Sequence, residues 1–133
     1  MSSDAKGRAF AALRGRLPNT VQLWRIENAA GPGLPDVYGV GAGISFWVEL
    51  KVGRRLRNGS IRVPSKKLRP SQYATLIKLY RAGVPVYIAV YVAGRLLVTK
   101  FSPEFWRMLG TPEGAMGLEA KMPGEKISWG ASR

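Results

Sequence analysis

Apolar and polar positions are patterned most sharply in residues 44–52, Ile-Ser-Phe-Trp-Val-Glu-Leu-Lys-Val. The run is β-branched and aromatic and too short for a typical helix, so it predicts a strand entering a core. Side chains alternate faces along a strand. Phe46, Val48, Leu50 and Val52 therefore share one face, and Glu49 and Lys51 the other. A glycine-rich turn (Gly39, Gly41, Gly43) and a short apolar segment opened by Pro35-Asp36 come before it, predicting a hairpin over 36–52. Residues 20–27 alternate as a further strand, with Gln22, Trp24 and Ile26 on one face and Val21, Leu23, Arg25 and Glu27 on the other. Residues 85–92 have the composition of a buried strand. The turn Ala93-Gly94-Arg95 returns the chain as a partner strand over 96–101.

Three segments carry helical signals. Residues 3–17 have a weak apolar stripe of Ala9, Phe10, Leu13 and Leu17, ended by Pro18, with Ser3 or Asp4 as a cap and Lys6, Arg8, Arg14 and Arg16 on the outside. Residues 70–82 place Tyr73, Leu76, Ile77 and Tyr80 at i, i+3, i+4 and i+7, with Pro70 in the first turn and Gly83 at the end. Ser102-Pro103-Glu104 opens a short helix through Leu109 whose Phe105, Trp106 and Leu109 would pack on the sheet, Glu104 serving as a first-turn acid. Strand 44–52, a basic loop, helix 70–82 and strand 85–92 form a crossover unit, which predicts that the two strands lie parallel in one sheet. The expected fold is α/β, a central mixed sheet of four or five strands flanked by helices. Residues 1–110 would form the domain. The glycine- and proline-rich residues 111–133 form a tail whose Met116, Leu118, Met122, Ile127 and Trp129 offer docking contacts to the body or to a second subunit.

Composition narrows the chemistry. At 133 residues, 46% of them apolar, the chain is large enough for one core and too apolar for disorder. No stretch approaches the ~20 apolar residues of a membrane span, and the first dozen residues lack a secretory h-region. A soluble, cytoplasmic protein without a membrane partner is expected. Cysteine and histidine are both absent, which removes disulfides, thiolate zinc sites, cysteine nucleophiles and histidine-based catalysis. Against 8 acidic residues stand 21 basic ones, a net charge of +13, so the expected partner is a polyanion and nucleic acid the obvious one.

That leaves carboxylate, lysine and metal. Glu49 and Lys51 sit in an apolar strand where an unpaired charge is costly, and the hairpin brings Asp36 close to them. Two carboxylates about 4 Å apart repel by roughly 4 kcal/mol at an effective dielectric near 20. A hard divalent cation such as Mg²⁺ or Mn²⁺ removes that repulsion through oxygen ligands, and an adjacent ammonium can orient water or offset charge on a phosphate oxygen. Taken singly, Asp36 is also an ordinary turn aspartate, and Glu49 with Lys51 an ordinary surface ion pair. Residues 53–69 contain seven basic side chains (Arg54, Arg55, Arg57, Arg62, Lys66, Lys67, Arg69) and no acid. The turn signal Asn58-Gly59 suggests a flexible hairpin there. Either the segment is a solvated loop or it meets DNA phosphates, through backbone and shape without base reading.

Pro35-Asp36, then after twelve residues Glu49-Leu50-Lys51, resembles the PD-(D/E)XK nuclease motif. With Gly33-Leu34 before it and Leu68-Arg69-Pro70-Ser71-Gln72 downstream, the pattern is similar to the VRR-NUC and Holliday-junction-resolvase-like branch found in phages, over about residues 8 to 100. The resemblance implies a restriction-endonuclease-like fold and metal-dependent cleavage of DNA, branched DNA included, by a homodimer, in the host cytoplasm if the protein is phage-encoded. It implies Asp36 and Glu49 as metal ligands with the Leu50 carbonyl, Lys51 as the catalytic lysine, and Gln72 as a residue orienting water or phosphate. Relatives often carry a further acid on the first helix, where this chain has only Asp4. Glu27 is the substitute expected here. Two alternatives stand beside junction resolution: a homing, restriction-type, nicking or flap endonuclease, and a basic nucleic-acid-binding protein that cuts nothing.

Overall fold

The computed structural model describes residues 5–26, 33–41, 43–59, 61–64 and 68–109. In chain order these form α1 (Ala5–Arg16), β1 (Gln22–Arg25), β2 (Val37–Gly41), β3 (Ile44–Val52), β4 (Arg54–Arg55), β5 (Ile61–Arg62), α2 (Pro70–Arg81), β6 (Val86–Val92), β7 (Arg95–Lys100) and α3 (Pro103–Leu109). Five strands make one mixed sheet in the order β1-β2-β3-β6-β7. β3 and β6 run parallel, with Glu49 beside Ile88 and Lys51 beside Val90, and every other neighbouring pair is antiparallel. The expected crossover is therefore present, and the fold is α/β, a mixed sheet flanked by helices.

Each face of the sheet builds its own core. Against α1, Ala9 and Leu13 pack on Val37, Phe46, Val48, Leu50, Tyr87, Ala89 and Val98. Against α2 and α3, Leu76, Phe105, Trp106 and Leu109 pack on Ile88, Val90 and Leu97. Period-2 alternation in β3 and β6 sends successive side chains to these two cores, so both strands are buried on both faces for most of their length. α3 starts where Ser102 Oγ accepts the Phe105 N–H at 3.1 Å, the usual use of serine at a helix start.

Several local expectations are corrected. Gly39 and Gly41 lie inside β2 and not in the turn, which leaves Gly43 with φ +80° at the reversal. A Cβ on Gly39 would come within 2.3 Å of the Phe46 ring, so its glycine makes room for a core aromatic and not for a bend. β1 is shorter than the expected strand and stops at Arg25. Arg14 and Arg16 of α1 do lie on the outside, and in addition Arg14 donates to the Pro18 and Val21 carbonyls and Arg16 to the Leu96 carbonyl. The basic excursion does contain a hairpin, β4 against β5, with Gly59 at φ +89°. It is not merely solvated, since Ile61 and Val63 at its return end are buried. The tail from 111 to 133 lies outside the described residues, as do Asp4, Glu27, Lys66 and Lys67.

Candidate active site

β2 and β3 place the two acids. The ladder pairs Val37 with Val48, so Asp36, one residue earlier, stands opposite Glu49, one residue later, on the same face. Asp36 is fixed there by the β3 backbone: its Oδ2 accepts the Leu50 N–H at 2.9 Å. Gly33, at φ +89°, brings the approach to Pro35-Asp36 so near the start of α2 that a Cβ would meet the Ser71 carbonyl oxygen at 2.6 Å. Strand and helix start thus converge on one corner of the sheet.

Glu49 is fully buried. Its Oε2 pairs with Lys51 Nζ at 3.0 Å, while Oε1 has no hydrogen-bond partner. Burial first, and the Asp36 carboxylate second, raise its pKa to about 7, against the pull of Lys51 and Lys6. Burial also lowers the Lys51 ammonium, which Glu49 only partly offsets. Lys51 Nζ donates to Gln72 Oε1 at 2.8 Å and sits 5.4 Å above the Trp106 ring, within cation–π range. Gln72 Oε1 accepts a second bond from the Arg69 N–H at 3.2 Å, which fixes the amide at the start of α2.

The structure thus brings together Asp36, Glu49, Lys51, Gln72 and the backbone of Leu50. Gln72 is buried in the first turn of α2. Arg54, Arg55, Arg57, Arg62 and Arg69 are exposed, and Arg69 meets the site through its backbone N–H. Two neighbours were missed. Lys6 of α1 reaches both Asp36 oxygens, at 3.1 and 3.0 Å, although the sequence suggested an outward-facing basic residue. Trp106 of α3 was expected only as a core residue. No local pattern in the chain signals either contact, because each joins elements far apart in sequence.

A hard cation fits this donor set. Two facing carboxylates, one of them buried with an oxygen that has no hydrogen-bond partner, are what such an ion satisfies. Among the described residues, though, no group of three or more His, Cys, Asp or Glu is placed to hold a metal.

No protein-family model matches the chain, and no curated protein sequence does. Its structure does have a solved counterpart: Hjc, a Holliday junction resolvase from the archaeal hyperthermophile Archaeoglobus fulgidus, with a TM-score of 0.50 and 17% identity over 80% of this chain and 82% of that one. The two chains share a fold. It is the restriction-endonuclease-like architecture that the Pro35-Asp36 and Glu49-Leu50-Lys51 pattern implied. No described helix is long and apolar enough to cross a membrane.

Proposed function

We propose that this protein is a metal-dependent endonuclease that hydrolyses DNA phosphodiester bonds, with branched, Holliday-junction-like DNA as its substrate class. The observation that carries this reading is the buried Glu49, facing Asp36 and paired with Lys51 through one oxygen while the other has no partner. Asp36 and Glu49 would hold Mg²⁺ or Mn²⁺, with the Leu50 carbonyl and Glu27 as further oxygen ligands. Bound there, the ion supplies charge neutralisation and Lewis-acid activation. Lys51, steered by Gln72, presents its ammonium to the attacking water and to charge developing on a phosphate oxygen. Burial lowers the Lys51 pKa, which eases loss of its proton.

The basic hairpin supports a DNA partner. Arg54 and Arg62 are directly opposite each other in the β4–β5 ladder and both exposed. Like charges opposite one another are destabilising, and phosphates between them relieve that cost. With Arg55, Arg57, Lys66, Lys67 and Arg69 they would track the backbone without reading bases. The Hjc counterpart is a Holliday junction resolvase, and paired cuts across a symmetric junction call for a homodimer.

One observation favours a second reading. Lys6 already neutralises both Asp36 oxygens, as it would in a basic DNA-binding protein that cuts nothing. A labelled four-way junction and a matched duplex, each incubated with Mg²⁺ and with EDTA, separate the two. The nuclease reading expects junction cleavage with Mg²⁺ only, lost in Asp36→Ala and Glu49→Ala while binding persists. Binding without cleavage under every condition supports the second reading, and preferential cutting of linear duplex points to a restriction-type or homing enzyme.

A further inference from the structure

On the site's face of the sheet, a row of three aromatic rings runs from the β1 edge towards β6. Trp24 is the register partner of Tyr38, and Tyr38 that of Trp47, so all three side chains project from one face of β1, β2 and β3. Their ring centroids are 6.0 and 4.8 Å apart, with interplanar angles of 31° and 52°. The same face of β6 and β7 is covered by α2 and α3. Over the aromatic row the cover thins: Tyr38 and Trp47 are only partly buried and Trp24 is 50% exposed, the most exposed large hydrophobic side chain among the described residues.

The position of this row matters more than its exposure. Asp36, just before β2, is two residues from Tyr38, and Glu49 is two residues along β3 from Trp47. At a strand rise of about 3.3 Å per residue, the aromatic row lies roughly 7 Å from the acidic row on one surface. A ligand whose phosphate sits at the acids would lay its neighbouring groups across the rings.

We infer that Trp24, Tyr38 and Trp47 form a stacking platform for unpaired nucleobases next to the phosphate engaged at Asp36 and Glu49. This rests on the nuclease reading above and adds to it the feature of the substrate that is recognised. Charge selects the occupant, because a chain of net +13 draws a polyanion, and single-stranded nucleic acid is a polyanion that also carries flat, apolar π faces. Aromatic side chains on an open sheet stack bases in known single-strand readers, largely without regard to sequence. Base-paired duplex keeps those faces inside its own stack. The platform therefore favours sites where bases are unstacked, as at a branch point, over continuous duplex.

The test is equilibrium binding in EDTA, so that no cleavage is needed. Fluorescence anisotropy would follow full-length protein on a labelled oligothymidine strand and on a blunt duplex of equal length, with tryptophan quenching as a second signal. The expected result is quenching by the single strand. Trp24→Leu, which keeps apolar cover but removes the ring, and Tyr38→Ala should each weaken single-strand binding by roughly 5- to 150-fold. Duplex binding should change less than about twofold, and Trp24→Phe should retain most of the single-strand affinity. Equal loss on both DNAs, or no loss on either, overturns the platform. So does a wild-type dimer that Trp24→Leu converts to a monomer in sedimentation, since the row would then belong to a second copy of the chain. Failure of the nuclease reading looks different: the single-strand preference would persist in a protein that never cuts the junction.

Discussion

The two faces of β3 differ sharply, although they belong to the same nine residues. On one, Phe46, Val48 and Leu50 are fully buried against α1 in an all-apolar core. On the other, Trp47 is partly open, and Glu49 and Lys51 are buried with charges that water would solvate better. The first face follows from hydrophobic burial alone. The second works against it, since a buried ion pair commonly costs more in desolvation than its attraction returns. A strand that meets the rule on one side and breaks it on the other is where the proposed active site would be expected.

The contrast can be broken most severely from the apolar side. Phe46→Ala empties a fully buried aromatic site that Gly39 has no side chain to refill, and should destabilise the fold by about 3–5 kcal/mol in urea unfolding. A loss below about 1 kcal/mol would mean that this face is not a close-packed core.

The charged side should answer pH and not volume. Unfolded, Glu49 releases its proton near 4.5; folded, near 7. Between these values the native state binds more protons, so stability should fall as pH rises through this window, by on the order of 3 kcal/mol, and level off above it. Glu49→Gln should remove that slope. An unchanged slope in the variant would assign the pH dependence to other groups. The smallest effect is expected from Lys6→Ala. Its pair with Asp36 is partly exposed, so stability should move by less than about 1 kcal/mol. Because Lys6 holds the Glu49 pKa down, NMR titration should show that pKa moving up. No movement would mean that Lys6 exerts no influence on the pair.

The sequence made the strands and helices around this contrast legible because their signals are local. The alternation in 44–52, the i, i+3, i+4 stripe of 70–82 and the crossover between them predicted the parallel β3–β6 pair. The same alternation put Glu49 and Lys51 on one face, and the hairpin put Asp36 nearby. What could not be read was decided by tertiary contacts. Gly39 and Gly41 resemble turn residues until the Phe46 ring and Val21 are seen filling the space where their side chains would be. Gln72 resembles an exposed helix start until β3 delivers Lys51 to its amide. Lys6 belongs to a helix whose weak apolar stripe suggested an outward basic face, and its reach to Asp36 spans 30 positions of sequence.

The proposed function requires that Asp36 and Glu49 together accept a divalent cation. Titrating the protein with Mn²⁺ at pH 8 and following the electron paramagnetic resonance signal of the free ion tests it directly. Saturable loss of free Mn²⁺ is expected with the unaltered protein, and little or none with either Asp36→Asn or Glu49→Gln. If the unaltered protein takes up no Mn²⁺, or both variants take it up equally well, the acids are not a cation site.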